Sequence, residues 1–304
     1  MTTTTRTSRR PVTVVLLALV VYLAVLGVFA LSLVTMLDST AGGGAGLFGA
    51  RVAIVELDGI IVDVDGILQE LRAYRESPAI RAVVIRINSP GGVVAPTQEL
   101  HDALKRVRAA GKPVVASLGS VAASGGYYAA VAADRIYASP GSLTGSIGVI
   151  MQLANLEALM KKVGVDYVVV KAGQFKDVGN FSRAMTPEER RVLQSLLDDV
   201  HGQFVDAVAA GRKLDRGEVL RFADGRVFSG AQAKQLRMVD ALGGLEAAID
   251  AAATLAGLPA PPRTVGPRRR FSLVELIRNE LGLGGLESLG SHLPVFKTPL
   301  YLMD

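Results

Sequence analysis

The chain has 304 residues, half of them hydrophobic and a fifth charged, with no cysteine and a formal net charge of +5. Its mean hydropathy is +0.36. These values exclude wholesale disorder, disulfides, thiol catalysis and thiolate zinc sites, and leave ample length for a buried core. Several of the excess cations stand in short runs, at Arg6, Arg9 and Arg10 and at Arg268 to Arg270, so no broad basic face for nucleic acid is expected.

Residues 1–10 form a basic N-terminal segment, and residues 11–37 follow without a single charge. As a helix these 27 residues reach about 40 Å, enough for a hydrocarbon core of about 30 Å. The pattern predicts a transmembrane signal anchor with the N-terminus cytoplasmic and the rest of the chain extracytoplasmic, on the periplasmic or extracellular side. A cleaved signal peptide is the competing reading, but its apolar stretch is ordinarily about 7–15 residues. Residues 38–50, rich in Gly and Ala, read as a tether.

From Arg51 onward β-branched runs alternate with amphipathic ones, which predicts α/β architecture with a mostly parallel sheet covered on both faces. Strands are expected at Arg51–Val62, Ala82–Asn88, Lys112–Leu118, Asp134–Ala138 and Val165–Lys171. Helices are expected at Ile67–Arg75, Thr97–Ala110 and Tyr127–Ala133. Thr186-Pro187-Glu188-Glu189 carries a capping box with proline at the first helical position. The stripe Leu193, Leu196, Leu197, Val200, Phe204, Ala207, Val208 then marks a long helix that packs on a core or a partner. A helix-strand-helix unit fills Ser229–Leu258. The compact domain is set at residues 51–258, and residues 259–304, with their prolines and arginines, read as an extension ending in a peripheral helix and a loose tail.

Three glycine-rich turns fall where strands end, the usual address of sites in α/β proteins. Asn88-Ser89-Pro90-Gly91-Gly92 offers backbone N–H groups to an oxyanion, or is merely a turn. In Ala123-Ser124-Gly125-Gly126, Ser124 is either an exposed nucleophile or an N-cap. Pro140 to Gly148 either lines a cleft or connects two elements. His101 and His201 fall in predicted helices and His292 in the tail, which disfavours a Ser-His-Asp triad. A lysine can replace histidine as base where burial disfavours its ammonium form. Lys176 stands in the glycine-bounded loop Gly173–Gly179, where an ordinary solvated lysine is the plainer reading.

The series VELDGIIVD, INSPGG, ASGGYYAA, SPGSLTGSIGV and KAGQFKDVG, behind an N-terminal anchor, resembles the short bacterial form of signal peptide peptidase A over about Val52–Leu258. Asp224 to Lys234 and Leu242-Gly243-Gly244 are similar to the family's C-terminal part. The resemblance implies a Clp-protease/crotonase-like fold with repeated β-β-α units behind one transmembrane helix. It implies a Ser-Lys dyad of Ser124 and Lys176, which lie 52 residues apart, an oxyanion hole from Gly125 with Gly91 or Gly92, and a site lined by Thr144 and Ser146, the latter a possible orienter of Lys176. It further implies peptide substrates, chiefly signal peptides left in the membrane, a homo-oligomeric ring or dome in which the dyad can form across subunits, and neither metal nor cofactor. A membrane protease with a dedicated protein substrate, a crotonase-like acyl-CoA enzyme and a non-catalytic scaffold are the alternatives.

Overall fold

The computed structural model describes residues 17, 19–30, 32, 49–266 and 300–302. The chain divides into two compact units, Met1–Gly49 and Ala50–Asp304. In the first, residues 19–30 form a helix (α1) with exposed apolar side chains such as Leu23, Leu26 and Phe29. Among the described residues no helix is long and apolar enough to cross a membrane, and the remainder of the expected span 11–37 lies outside them, residue 17 and Ser32 aside.

The second unit opens with β1 (Arg51–Asp58), α2 (Asp65–Glu76), β2 (Ile80–Ser89), β3 (Gly91–Val93) and α3 (Val94–Ala109). It continues through β4 (Val114–Ala123), α4 (Gly125–Ala130), β5 (Arg135–Ala138), β6 (Leu143–Gly145) and α5 (Glu157–Val163). Then come α6 (Pro187–Arg212), α7 (Arg216–Leu220), β7 (Val227–Ser229), α8 (Gly230–Gln235), β8 (Ala241–Leu242), α9 (Leu245–Leu255), β9 (Arg263–Val265) and β10 (Leu300–Leu302). A mixed sheet runs β7-β6-β4-β2-β1-β9, with β5 and β8 branching from β4; only the β6–β7 pairing is antiparallel. β4 is forked: Val115–Leu118 pair with β5, and Val121–Ala123 pair with β6. The succession β-β-α recurs at β2-β3-α3 and β5-β6-α5, whereas β4 passes almost directly into α4.

The period-2 pattern of the strands sorts side chains onto two faces. Ala53, Val83 and Ile85 point into the larger core, with Leu71, Leu100, Leu104 and Phe204. Val52, Ala82, Val84 and Val115 face the opposite way, against Ala248, Ile249 and Ala252 of α9. The sheet is thus covered on both sides, as an alternation of β-branched strands and amphipathic helices requires.

The structure corrects two expectations. Val165–Lys171 is not a strand: it has no ladder partner among the described residues, and Val168 and Val170 are 83% and 95% exposed. Its β-branched composition favours an extended strand, but a strand also needs an edge to pair with. Nor is the tail loose throughout, since β10 pairs antiparallel with β3. The expected peripheral helix from Phe271 lies outside the described residues. β9, within the stretch read as an extension, adds in parallel to β1.

Candidate active site

Ser124 follows β4 directly at the N-cap position of α4, and its backbone, with φ 52° and ψ −117°, lies outside the regions ordinary for a residue with a side chain. Such a conformation costs about 1–3 kcal/mol for a residue with a β-carbon, so the surroundings must enforce it. They do: the Ser124 N–H donates to the Gly145 carbonyl (2.8 Å), and its own carbonyl accepts from the Tyr128 N–H (2.9 Å). Gly145 has φ +83°, and a β-carbon there would lie 2.6 Å from the Phe228 ring, so this support admits only glycine. The Ser124 side chain is fully buried, yet its Oγ has no hydrogen-bond partner among the described residues. A buried orphan hydroxyl on a strained turn is an arrangement that a purely structural serine avoids. Ser124 does occupy the N-cap position that sequence allowed, but its hydroxyl makes no capping bond to the helix.

Against this turn lies the Gly91-Gly92 turn. A β-carbon on Gly125 would sit 3.2 Å from both Gly91 Cα and Gly92 N, and 3.0 Å from Thr97 Oγ1. A β-carbon on Gly92 would fall 2.0 Å from the Ile61 carbonyl oxygen. Glycine is therefore demanded by close backbone approach, and the two turns predicted from sequence do converge. The amides are not equivalent. The Gly91 N–H donates to Ser89 Oγ (3.1 Å), which leaves Gly92 and Gly125 as the better donors for a developing oxyanion. Ser89 is fully buried, and together with Thr97, whose hydroxyl donates to the Val93 carbonyl (2.8 Å), it fixes this turn. Sequence reasoning passed over both. Ser89 lay within the quoted INSPGG motif, where the only clue was a hydroxyl two residues before a glycine.

Thr144 is buried on β6, with its hydroxyl donating to the Ala122 carbonyl (2.7 Å), so it fastens the strand carrying Ser124. Ser146 is buried with φ 50°, and its N–H donates to the Arg226 carbonyl (2.8 Å). The two described histidines, His101 and His201, take other work. His101 packs edge-on against Tyr128, and burial holds its pKa below the usual value despite the neighbouring Asp102. His201 bonds the Ala223 carbonyl (2.9 Å).

Lys176 is not brought to Ser124 within the chain. It sits exposed on the segment between β6 and α6, where its N–H donates to the Gly173 carbonyl (3.2 Å). That segment is fastened by an ion-pair relay that sequence did not reveal. Asp177 is bonded by Lys171 and Arg183, and Arg183 continues to Glu189 (Nη1 to Oε2, 2.8 Å) in the capping box that starts α6. The Lys171 ammonium, with Arg183 behind it, holds the Asp177 carboxyl below its ordinary pKa. The Arg183 guanidinium and the Thr186 N–H take Glu189 down to about 2. Val192 and Leu196, on the first turns of α6, face solvent, whereas Val200, Phe204 and Val208 further along enter the core. Among the described residues no His/Cys/Asp/Glu cluster could hold a metal ion.

Comparison with known proteins decides the class. The model of peptidase family S49 matches residues 106–259, half of the chain. The chain belongs to peptidase family S49. A protein of Synechocystis sp. named as a protease is 47% identical over 210 residues, covering 68% of this chain and 75% of that relative. Protease 4 of Salmonella typhi is 35% identical over 219 residues, 69% of this chain but 35% of its own length. A protein of Enterococcus faecium named as signal peptide peptidase SppA is 34% identical over 183 residues, 60% of this chain and 53% of its own. The chain thus spans about a third of Protease 4 and half of the enterococcal protein. This S49 member is a serine peptidase similar to signal peptide peptidase A, and the α/β sheet is consistent with the Clp-protease/crotonase-like fold expected from its motifs.

Proposed function

We propose that Ser124 is the nucleophile and Lys176 the general base of this S49 peptidase, with Lys176 supplied by the neighbouring copy in a homo-oligomeric ring or dome. The observation that carries the reading is the buried, strained and unpartnered Ser124 hydroxyl beside two glycine turns. Supply from a neighbour accounts for three facts together: the exposed Lys176, the orphan Ser124 Oγ and the bare apolar run at Val165–Val170.

In the reaction, Ser124 Oγ attacks the scissile carbonyl carbon while neutral Lys176 Nζ takes its proton. The amides of Gly125 and Gly92 hold the tetrahedral oxyanion, each worth about 3 kcal/mol. Collapse expels the amine, which receives the proton from the Lys176 ammonium. Water then hydrolyses the acyl-serine by the same route in reverse. Thr144 and Ser146 keep the β6 side of the site in register. No metal or cofactor takes part.

Residues 11–37 anchor the chain in the membrane with the catalytic unit extracytoplasmic, and the substrates are signal peptides left behind after preprotein cleavage. The charge asymmetry around that span supports this topology. The decisive experiment mixes two inactive full-length variants in detergent, Ser124→Ala and Lys176→Met, and assays a synthetic signal peptide. Re-assembled mixtures should recover about a quarter of the sites, each pairing an intact Ser124 with a neighbour's Lys176. Mixtures that stay inactive would overturn the shared dyad, and turnover by Ser124→Ala alone would overturn the nucleophile. A reporter fused after Asp304 should read extracytoplasmic, and a cytoplasmic signal would reverse the topology and with it the substrate class.

A further inference from the structure

Asp177 directly follows the proposed base, and a carboxylate so placed is the natural counter-ion of the Lys176 ammonium. It is engaged elsewhere. Lys171 Nζ donates to Asp177 Oδ1, and Arg183 holds Oδ2 with Nη2 at 2.9 Å and Nε at 3.1 Å. The Asp177 side chain is only 10% exposed, which limits screening of these contacts by water and salt. The Lys171 ammonium also donates to the Gln174 carbonyl (2.9 Å), so it clips the loop on both sides of Lys176. Arg183 continues to Glu189, and Lys171, Asp177, Arg183 and Glu189 together balance with no charge left over. On the neighbouring helices, Glu157 of α5 takes Lys161 (2.8 Å) and the Ala184 N–H (3.1 Å), and Glu188 of α6 takes Arg191 (3.0 Å). Lys162, Asp166, Lys176 and Arg190 make no ion pair among the described residues.

We propose that Lys171 is a positioning residue whose ammonium holds the Asp177 carboxylate away from Lys176, so that the base is presented to the neighbouring copy without a counter-ion of its own. The inference rests on the Ser124 and Lys176 reading and deepens it. A general base must be neutral to take the proton of Ser124 Oγ. A carboxylate within about 4–6 Å of an amine favours its charged form by about 1–3 pH units, which would leave Lys176 protonated and idle. Asp177 is one residue away, so only a competing cation keeps it from that role. Lys171 supplies the cation for Oδ1 and Arg183 the one for Oδ2. The two do not share the task equally, because Arg183 is also committed to Glu189, whereas Lys171 has no second carboxylate. Lys171 is thus the group whose loss sets Asp177 Oδ1 free beside the base. Its bond to the Gln174 carbonyl adds that the loop is shaped inside one chain, before any neighbour arrives.

The test records kcat/KM against pH for the full-length chain in detergent, with Lys171→Met, Lys171→Arg and the double variant Lys171→Met/Asp177→Asn. Lys171→Met should move the rising limb up by about one pH unit, so that at a fixed pH on the limb the rate falls about tenfold while the high-pH plateau stays within about twofold. Lys171→Arg should keep the parent limb, and the double variant should return to it, because the carboxylate that captured Lys176 is gone. A lowered plateau with an unmoved limb means that Lys171 merely supports the loop, and overturns the inference. So does a double variant whose limb stays with that of Lys171→Met. A second readout needs neither turnover nor assembly: acetic anhydride labelling of Lys176, followed by mass spectrometry across pH in the Ser124→Ala background. Its midpoint should rise by the same unit on adding Lys171→Met, and an unmoved midpoint overturns the inference. Lys176→Met run alongside separates the two readings. Turnover that survives in it removes the dyad, whereas an inactive Lys176→Met beside an unmoved Lys171→Met limb removes only the role given to Lys171.

Discussion

Replacing Gly125 with alanine separates what the glycine turns do for stability from what they do for chemistry. Gly125 is helical, so alanine suits its backbone, and the helix gains about 0.5–1 kcal/mol from the exchange. Its β-carbon, however, meets Thr97 Oγ1 at 3.0 Å and the Gly91-Gly92 backbone at 3.2 Å, closer than the 3.4–4 Å of ordinary contact. The neighbour must yield by a few tenths of an ångström, and most of it is backbone. The two effects nearly cancel in stability, so the melting temperature should move by only a few degrees. Catalysis has no such compensation, because the shift falls on the proposed oxyanion donors. Loss of one donor costs about 100–1,000-fold in kcat, so partial displacement should cost roughly 10–100-fold. Gly92→Ala gives the opposite profile: a β-carbon 2.0 Å from the Ile61 carbonyl cannot be housed, and about 3 kcal/mol or more of stability should be lost. Steady-state cleavage of a fluorogenic signal-peptide substrate beside calorimetry reads both quantities. A Gly125→Ala enzyme with the parent kcat would show that these turns do not form the oxyanion hole.

The ion-pair relay beside Lys176 predicts a pH signature. Glu189 is depressed to about 2 by the Arg183 guanidinium and the Thr186 amide, so its contribution is whole above the ordinary carboxylate pKa of about 4.3 and drains away as pH falls toward 2. Melting temperatures of the parent and Glu189→Gln, which keeps the capping box, should differ at pH 7 and converge between about pH 4.5 and 2; a constant gap would show that the pairing charge is irrelevant. Arg212, its side chain 7% exposed, grips Asp240 with two bonds of 2.9 and 3.0 Å. Burial pushes that carboxyl up, but Arg212 outweighs it and holds the pKa below ordinary. Arg212→Met should cost about 3 kcal/mol, roughly 10 °C in melting temperature; a shift of a degree or two would mean that Asp240 finds another partner. Val170, at 95% exposure, contributes almost nothing inside one chain, so Val170→Asp should leave the melting curve of the isolated subunit unchanged while sedimentation shows loss of the proposed assembly. An intact assembly would place the subunit contact elsewhere.

Much of this was legible in the sequence because it is local. The alternation of Val83, Val84 and Ile85 announces a strand buried on both faces, and Thr186-Pro187-Glu188-Glu189 announces the start of α6; both hold in detail. The resemblance grouped Ser124 and Gly125 with Gly91 or Gly92, and the structure does set Gly125 against the Gly91-Gly92 backbone. What failed depended on partners. The run Val165–Val170 has the composition of a strand, but composition cannot supply the neighbouring edge. The tail gave no periodicity by which to foresee β10, because three residues paired with a distant strand leave no pattern of their own. Gly91 and Gly92 look alike in sequence, and only the position of the Ser89 hydroxyl tells their amides apart.

Tyr127, in the first turns of α4, carries a further consequence. Its buried hydroxyl donates to the carbonyl of Met238 (2.9 Å), 111 residues further along the chain. At ribosomal speeds of about 5–20 residues per second, that acceptor emerges roughly 6–20 s after the tyrosine itself. The serine turn of a nascent chain therefore waits for this distal mooring until residue 238 has left the ribosome, and the proposed nucleophile cannot be fully braced before then.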